Sequence, residues 1–149
     1  MATVGAVATL AVAVAVMVIR QSSKPIGEIV SVPVAVPSYA AGKAKGPIDA
    51  PVLIQDFSNF TCLHCRTMAT GAARLIEENY IEGGKVRYEY YYVAFNQPAA
   101  KLAAEAAECA NSQGAFWPYH DIIYANQTGR NDQYSERRLL AFAAEINLD

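Results

Sequence analysis

Cysteine, histidine and charged residues are scarce in this chain, and each scarcity excludes a class of protein. Its 149 residues include three cysteines and two histidines, and 17% of them are charged. Three cysteines are too few for a small domain held together by a framework of disulfides. The formal net charge is −2 and no basic patch is present, so we expect no nucleic-acid partner. The length allows one domain with a core of its own, plus a tail.

Charge is entirely missing from residues 2–19, which are almost all Ala, Val, Leu, Ile, Met, Gly and Thr. As a helix these 18 residues would span about 27 Å, close to the thickness of a bilayer core. We predict a single transmembrane anchor at residues 1–20. A cleaved signal peptide is the main alternative, although Ser38-Tyr39-Ala40 lies late for a cleavage site, and a buried helix is the third.

The flanking charges conflict with the orientation that the chemistry described below requires. Arg20 and Lys24 follow the apolar run, whereas no Lys or Arg precedes it. The positive-inside rule would then favour a cytoplasmic C-terminal side. Residues 21–50 are rich in proline, which is typical of an extended linker, and a short edge strand at Val30–Val36 is the alternative.

The predicted domain, residues 51–149, begins with an alternation of strand and helix. Val52–Phe57 is predicted as a central strand, followed by a helix from Cys62 to about Tyr80. The aromatic and β-branched stretch Lys85–Phe95 predicts a second strand. Strand, helix and strand within about 40 residues indicate a right-handed parallel βαβ unit.

Three further helices are predicted after this unit. Pro98 is suited to open a helix at Ala99–Gln113, and Phe116–Asn126 has the apolar side of a second. The third begins at Ser135, and its apolar stripe consists of Leu139, Leu140, Phe142, Ala143 and Ile146.

Two cysteines, Cys62 and Cys65, stand three residues apart where the first predicted strand gives way to a helix. A C-x-x-C pair at such a place is typical of a redox site. The first N–H groups of a helix lack partners within it and carry positive partial charge, so a thiolate is stabilised there. We therefore predict Cys62 as the nucleophile and Cys65 as the residue that closes or resolves a disulfide with it. A structural disulfide is the alternative, but a loop of two residues would stabilise the fold weakly.

The remaining candidate residues have less specific surroundings. His64 lies between the cysteines, where a charge or hydrogen bond from its ring would favour the Cys62 thiolate. Cys109 is expected to pack in the core as a small apolar residue. A zinc site at the three cysteines and a histidine would lack the second close-spaced pair, so no metal or other cofactor is predicted. Core or groove-wall positions are predicted for four aromatic residues, Phe60, Trp117, Tyr119 and Tyr124.

Two stretches resemble the DsbA-like thiol-disulfide oxidoreductases of the thioredoxin superfamily: residues 56–65, DFSNFTCLHC, and residues 106–120, AAECANSQGAFWPYH. The resemblance implies an α/β thioredoxin-like fold with a helical insertion. It also implies that Asp56 is the acid that handles the proton of the second cysteine, and that C-x-H-C is an oxidising variant. Two features depart from the family. Leu63 stands where proline is frequent, and no proline matches the cis-proline before the last strand, so we expect the closing hairpin and last helix to be missing.

The predicted function is donation of a Cys62–Cys65 disulfide to reduced or unfolded secreted polypeptides. The resemblance implies a single-pass membrane protein whose domain faces the extracytoplasmic side, and a quinone-linked membrane partner that reoxidises the pair. Two alternatives stay open: a disulfide reductase or isomerase that uses the same cysteines, and a tethered binding or chaperone module in which the cysteines are structural.

Overall fold

A four-stranded sheet organises the described part of the chain, with its strands in the order β1-β2-β4-β3. The strands are β1 (Ala40–Ala41), β2 (Ala44–Lys45), β3 (Val52–Ser58) and β4 (Val86–Tyr92). The computed structural model describes residues 13–17, 27–94, 97–130 and 133–149.

The predicted parallel pair is confirmed, because β3 pairs with β4 in parallel from Val52 opposite Val86 to Ser58 opposite Tyr92. The central position predicted for β3 is wrong for the described residues, where β4 is its one partner and β3 forms the edge of the sheet. One face of β3 is also exposed, with Leu53 and Phe57 53% and 63% accessible to solvent.

The helix between β3 and β4, here α1, confirms the predicted helix to within one residue at each end. It runs from Leu63 to Ile81, with Cys62 as its N-cap residue. Its segments alternate in hydrogen-bond pattern: Leu63–Thr67 and Ala73–Ile76 are α-helical, whereas Met68–Ala72 and Glu77–Ile81 are π-helical.

Three further helices pack on this unit, as predicted: α2 (Pro98–Ser112), α3 (Phe116–Ala125) and α4 (Glu136–Glu145). Alanines at helical spacing form the buried side of α2, namely Ala100, Ala103, Ala107 and Ala110. Because Cys109 lies off this stripe, it is exposed, and the prediction that it packs in the core was wrong.

Aromatic rings fill the space between the sheet and the helices. The ring of Phe60 stacks on that of Tyr90 with centroids 5.6 Å apart and lies 5.1 Å from that of Tyr124. Trp117 and Tyr119 are also buried, so the core positions predicted for these aromatic residues are confirmed. The aromatic layer therefore connects the strands directly to α3.

The region predicted as a linker, residues 21–50, contacts the rest of the domain in the part that the structure describes, residues 27–50. The β1–β2 hairpin pairs with β4 through β2, and the backbone N–H of Val30 donates to Asn126 Oδ1 at 2.8 Å. Gly46 follows β2 with a φ of 86°, and a Cβ there would collide with the carbonyl oxygen of Val86. The alternative edge strand at Val30–Val36 does not form.

The predicted membrane anchor, residues 1–20, lies mostly outside the described residues. Residues 13–17 are helical. Within the described ranges, no helix is both long and apolar enough to cross a bilayer.

A buried ion pair joins the hairpin to α1. Lys45 Nζ lies 2.6 Å from both carboxylate oxygens of Glu77, and the two side chains are 5% and 10% exposed. The same ammonium group lies 4.2 Å from the ring centroid of Trp117. Both charges are thus compensated, which a buried pair requires because each alone would be costly to desolvate.

Replacing Lys45 by Met should lower the free energy of unfolding by about 3 kcal/mol, at the low end for a broken buried pair. Glu77 would keep a buried charge, with only the longer Arg74 contact at 3.7 Å and the Tyr39 hydroxyl to compensate it. Lys101→Met is the matched control. The pair that Lys101 forms with Glu105 spans 3.7 Å with both side chains largely exposed, so its loss should cost less than about 1 kcal/mol. Urea unfolding of both variants measures the difference, and equal losses would contradict the assignment.

Candidate active site

The connection between β3 and α1 is a tight turn built by Asn59. Its side-chain Oδ1 accepts hydrogen bonds from the backbone N–H and the hydroxyl of Thr61, each at 2.8 Å. The backbone carbonyl oxygen of Asn59 accepts a hydrogen bond from the backbone N–H of Cys62 at 2.9 Å. An asparagine that satisfies its own turn in this way fixes where the helix starts.

This turn leaves Cys62 at the N-cap with extended backbone angles, φ −83° and ψ 121°. The sulfur of Cys62 then occupies the usual place of a capping oxygen, 3.4 Å from the backbone N–H of Cys65. Burial alone would disfavour ionisation, but hydrogen bonds from the Cys65 backbone, the Cys65 thiol and the His64 backbone outweigh it. The pKa of the Cys62 thiol therefore lies below its ordinary value.

Cys65 is the opposite case, although it lies on the same helical turn. Burial is the main cause that raises the pKa of the Cys65 thiol above its ordinary value, and the hydrogen bond and negative charge of Cys62 act in the same direction. Both residues of the pair are half-buried, and all three cysteines are free thiols. The site thus combines an activated thiol with one that favours its protonated form.

Asp56 lies on the core-facing side of β3, where it accepts hydrogen bonds from two hydroxyl groups. Ser58 Oγ donates to one carboxylate oxygen, and Tyr88 Oη donates to the other at 2.6 Å. Burial and this bond raise the pKa of the Tyr88 hydroxyl, so it stays protonated and donates. Ser58 is also one of the groups that act on the pKa of the Cys65 thiol, and its effect is to lower that pKa. Asp56, Ser58 and Tyr88 therefore form a polar group next to the cysteine pair.

Sequence reasoning missed Ser58 and Asn59. Ser58 follows Asp56 at the two-residue spacing that places strand residues on one face, so the alternation of β3 could have identified it. An asparagine three residues before a helix cap is a turn signal of the same kind.

His64 is exposed on the first turn of α1. It acts on the sulfur of Cys62 through its backbone N–H, one of the groups that lower the pKa of that thiol. Any residue except proline would supply this N–H, so the role predicted for the imidazole ring stays a prediction.

The third cysteine does not join the pair. Cys109 lines an apolar groove between α2 and α4, together with Leu102, Leu139 and Leu140. Within the described residues, no cluster of three or more His, Cys, Asp and Glu side chains is placed to hold a metal ion. The side chains that the site brings together are two thiols and, next to them, the carboxylate of Asp56 and the hydroxyl of Ser58.

A polar cleft of about 510 Å³ opens beside the active-site turn. Thr61, Gln97, Gly129 and Gln133 are among the residues that line it. Thr61 Oγ1 also lies 2.8 Å from Gln97 Oε1, to which it can donate. The exposed side chain of Leu63 packs against Gly129 and adds an apolar surface next to the cysteines.

Comparison with known proteins agrees with this geometry. A family model described as thioredoxin matches residues 40–148. The "Probable disulfide bond formation protein D" of Bacillus cereus is 31% identical over 105 residues, which are 69% of this chain and 49% of that protein. The "Na(+)/H(+) antiporter NhaA 3" of Salinispora tropica is 35% identical over 107 residues, 70% of this chain and 15% of that protein.

Solved structures share the fold at lower identity. Oxidised BdbD from Bacillus subtilis superposes with a TM-score of 0.64 and 24% identity over 79% of this chain and 64% of that one. Alpha-DsbA1 from Wolbachia pipientis has a TM-score of 0.62 and 23% identity over 72% and 54%. The chain spans about half the length of the disulfide bond formation proteins that it matches and a small part of the antiporter.

The two thiols should react at clearly different pH values. Because the thiolate is the reactive form, alkylation of Cys62 should be half-maximal below the ordinary thiol pKa of about 8.5, and that of Cys65 above it. Iodoacetamide labelling against pH, read by peptide mass spectrometry, measures both. Cys109→Ser is the background, since it removes the exposed third thiol. A midpoint for Cys62 at or above that of Cys65 would contradict the assignment.

Proposed function

Because the chain belongs to the thioredoxin family, we propose that it is a DsbA-like thiol-disulfide oxidoreductase that donates its Cys62–Cys65 disulfide to protein thiols. The observation that carries this proposal is the place of Cys62 at the N-cap of α1, where its sulfur lies 3.4 Å from the backbone nitrogen of Cys65. The pKa of Cys62 is accordingly lowered, whereas burial raises that of Cys65. A thiolate that is stabilised in the reduced protein makes the corresponding disulfide a stronger oxidant.

The reaction would proceed in two exchanges. A substrate thiolate attacks Cys62 Sγ of the disulfide, a mixed disulfide forms, and Cys65 leaves and takes up a proton. A second substrate thiolate then attacks the substrate sulfur of that mixed disulfide, and Cys62 leaves as its stabilised thiolate. Two substrate thiols thereby lose two electrons to the cysteine pair. A leaving thiol with a lowered pKa departs faster, which suits Cys62 to the second step.

Asp56 and Ser58 would handle the proton of Cys65. When Cys65 leaves, it needs a proton, since its raised pKa favours the neutral thiol. In the reverse step, in which Cys65 attacks a mixed disulfide, that proton must depart. Ser58 donates to Asp56 and also acts on the pKa of the Cys65 thiol, so the two residues together are proposed to offer that proton a route to the carboxylate. His64 is proposed to favour the Cys62 thiolate further through its ring.

The substrates are proposed to be extended, reduced polypeptides. The polar cleft beside Thr61 offers groups that can bond a peptide backbone, and the exposed Leu63 offers an apolar contact next to Cys62. Three relatives carry the name disulfide bond formation protein D, two of them with the qualifier "Probable", which agrees with an oxidising role. An extracytoplasmic location at the cell membrane and a quinone-linked partner that reoxidises the pair belong to the same proposal.

The redox equilibrium of the full chain with glutathione tests the direction of the reaction. Thioredoxin lies near about −270 mV and DsbA near about −120 mV, and each ~30 mV is a factor of ten for two electrons. We expect a reduction potential at the DsbA end. Alkylation of the free thiols measures the reduced fraction, and the remainder is the disulfide. Cys62→Ser should abolish exchange, whereas Cys109→Ser should leave it unchanged. A potential near that of thioredoxin would favour a reductase, and exchange that survives in Cys62→Ser would overturn the proposal.

Asp56→Asn should slow the attack of Cys65 on a mixed disulfide by about 10²-fold, at the low end of general acid–base effects, because asparagine cannot accept its proton. Stopped-flow release of a thiol from a mixed disulfide at Cys62 measures this step. Glu89→Gln is the control, because it neutralises a carboxylate on the opposite face of the same sheet, in register with Gln55. Equal rates for Asp56→Asn and the unmodified protein would remove Asp56 from the mechanism.

A further inference from the structure

One side chain of the helical region, Gln127, contacts the backbone of the active-site turn. It follows α3, is 3% exposed, and reaches across 67 positions of sequence to the carbonyl oxygen of Phe60. Its Nε2 lies 2.6 Å from that oxygen and 3.1 Å from the carbonyl oxygen of Cys62. Both partners are acceptors, so the amide must present its two N–H groups to them. One amide thus clamps the carbonyl groups on either side of Thr61.

The same two segments are also joined in the reverse direction. Arg66, on the first helical segment of α1, donates from Nη1 to the backbone carbonyl of Gln127 at 3.0 Å. Gln127 is therefore tied to the active-site segment at both its side chain and its backbone. Rotation of the Cys62 backbone would break the clamp, and loss of the clamp would leave the Cys62 carbonyl with the backbone N–H of Arg66 as its donor.

Local stability alone does not explain a glutamine at this place. Within the described part of the chain, its buried Oε1 has no hydrogen-bond partner, and such a group is unfavourable. Both carbonyls have a second donor as well: Tyr134 Oη lies 2.7 Å from that of Phe60, and the backbone N–H of Arg66 lies 3.1 Å from that of Cys62. An apolar side chain of the same length would satisfy the fold without leaving either carbonyl unpaired.

We propose that Gln127 is a positioning residue for the cysteine pair. By clamping the carbonyls of Phe60 and Cys62, it holds the sulfur of Cys62 in line with the backbone N–H of Cys65, and so makes the pair more oxidising. This inference rests on the proposed function, because it assigns Gln127 a part in the reaction proposed for Cys62. Gln127 acts through the backbone and does not touch the reacting sulfur atoms.

Gln127→Met tests the proposal in the full chain, with Cys109→Ser as background. Methionine keeps the length of the side chain and removes both donors. We expect the pH midpoint for alkylation of Cys62 to rise. We also expect the equilibrium constant with glutathione to shift toward the disulfide by about three- to tenfold, the size expected for one lost hydrogen bond. The matched control is Gln113→Met at the end of α2, whose side chain bonds the backbone of Asp149, and it should change neither value.

A lower unfolding temperature with an unchanged midpoint and equilibrium would show a purely structural role and overturn the proposal. If Gln127→Met does not fold, Gln127→Asn replaces it, because the shorter amide keeps a polar group there but cannot reach both carbonyls. Unchanged values in that variant overturn the proposal equally. The labelling of Cys62 does not require exchange with a substrate. A reducing potential in the unmodified protein would therefore refute the proposed function while the shift of the midpoint still tests Gln127.

Discussion

The contact between the backbone N–H of Cys65 and the sulfur of Cys62 is the interaction on which the site depends. It exists because Cys62 is the N-cap residue of α1, where the sulfur replaces the oxygen of an ordinary cap. Only a helix start offers unpaired N–H groups at this place. The turn built by Asn59 sets that start, and the parallel pairing of β3 with β4 sets where the turn begins.

The two cysteines differ because their surroundings differ, although only two residues separate them. Both lie on the first turn of one helix, but the hydrogen bonds converge on Cys62, whereas burial dominates at Cys65. Asp56 and Ser58, which are hydrogen-bonded to each other, lie on the core-facing side of β3 next to the second cysteine. The edge strand β3 therefore provides the polar side chains next to Cys65, and the start of α1 provides the hydrogen bonds to Cys62.

The helices after β4 do more than cover the sheet. Their aromatic residues pack against Phe60, whose ring fixes the start of the turn from the core side. Gln127 and Tyr134 bond the backbone carbonyl of the same residue. The helical region after β4 consequently holds the turn before Cys62 through both the ring and the backbone carbonyl of Phe60.

Local sequence patterns determined the elements and the centre of the site. The βαβ unit, the three later helices, the C-x-x-C pair and the aromatic core were predictable, because periodicity, capping residues and turn residues act over a few positions. His64 could be named as a candidate from its place between the cysteines, whereas Asp56 was named from the family resemblance, and the roles of both remain predictions.

The tertiary structure decided the contacts between distant segments. It placed the β1–β2 hairpin within the predicted linker, and it put β3 at the edge of the described sheet. It also exposed Cys109, since four alanines occupy the buried stripe of α2. The hydrogen bond from Gln127 to Phe60 spans 67 positions of sequence, and no periodic sequence pattern predicts a contact over that distance. It arises when the packing of α3 brings its end to the active-site turn.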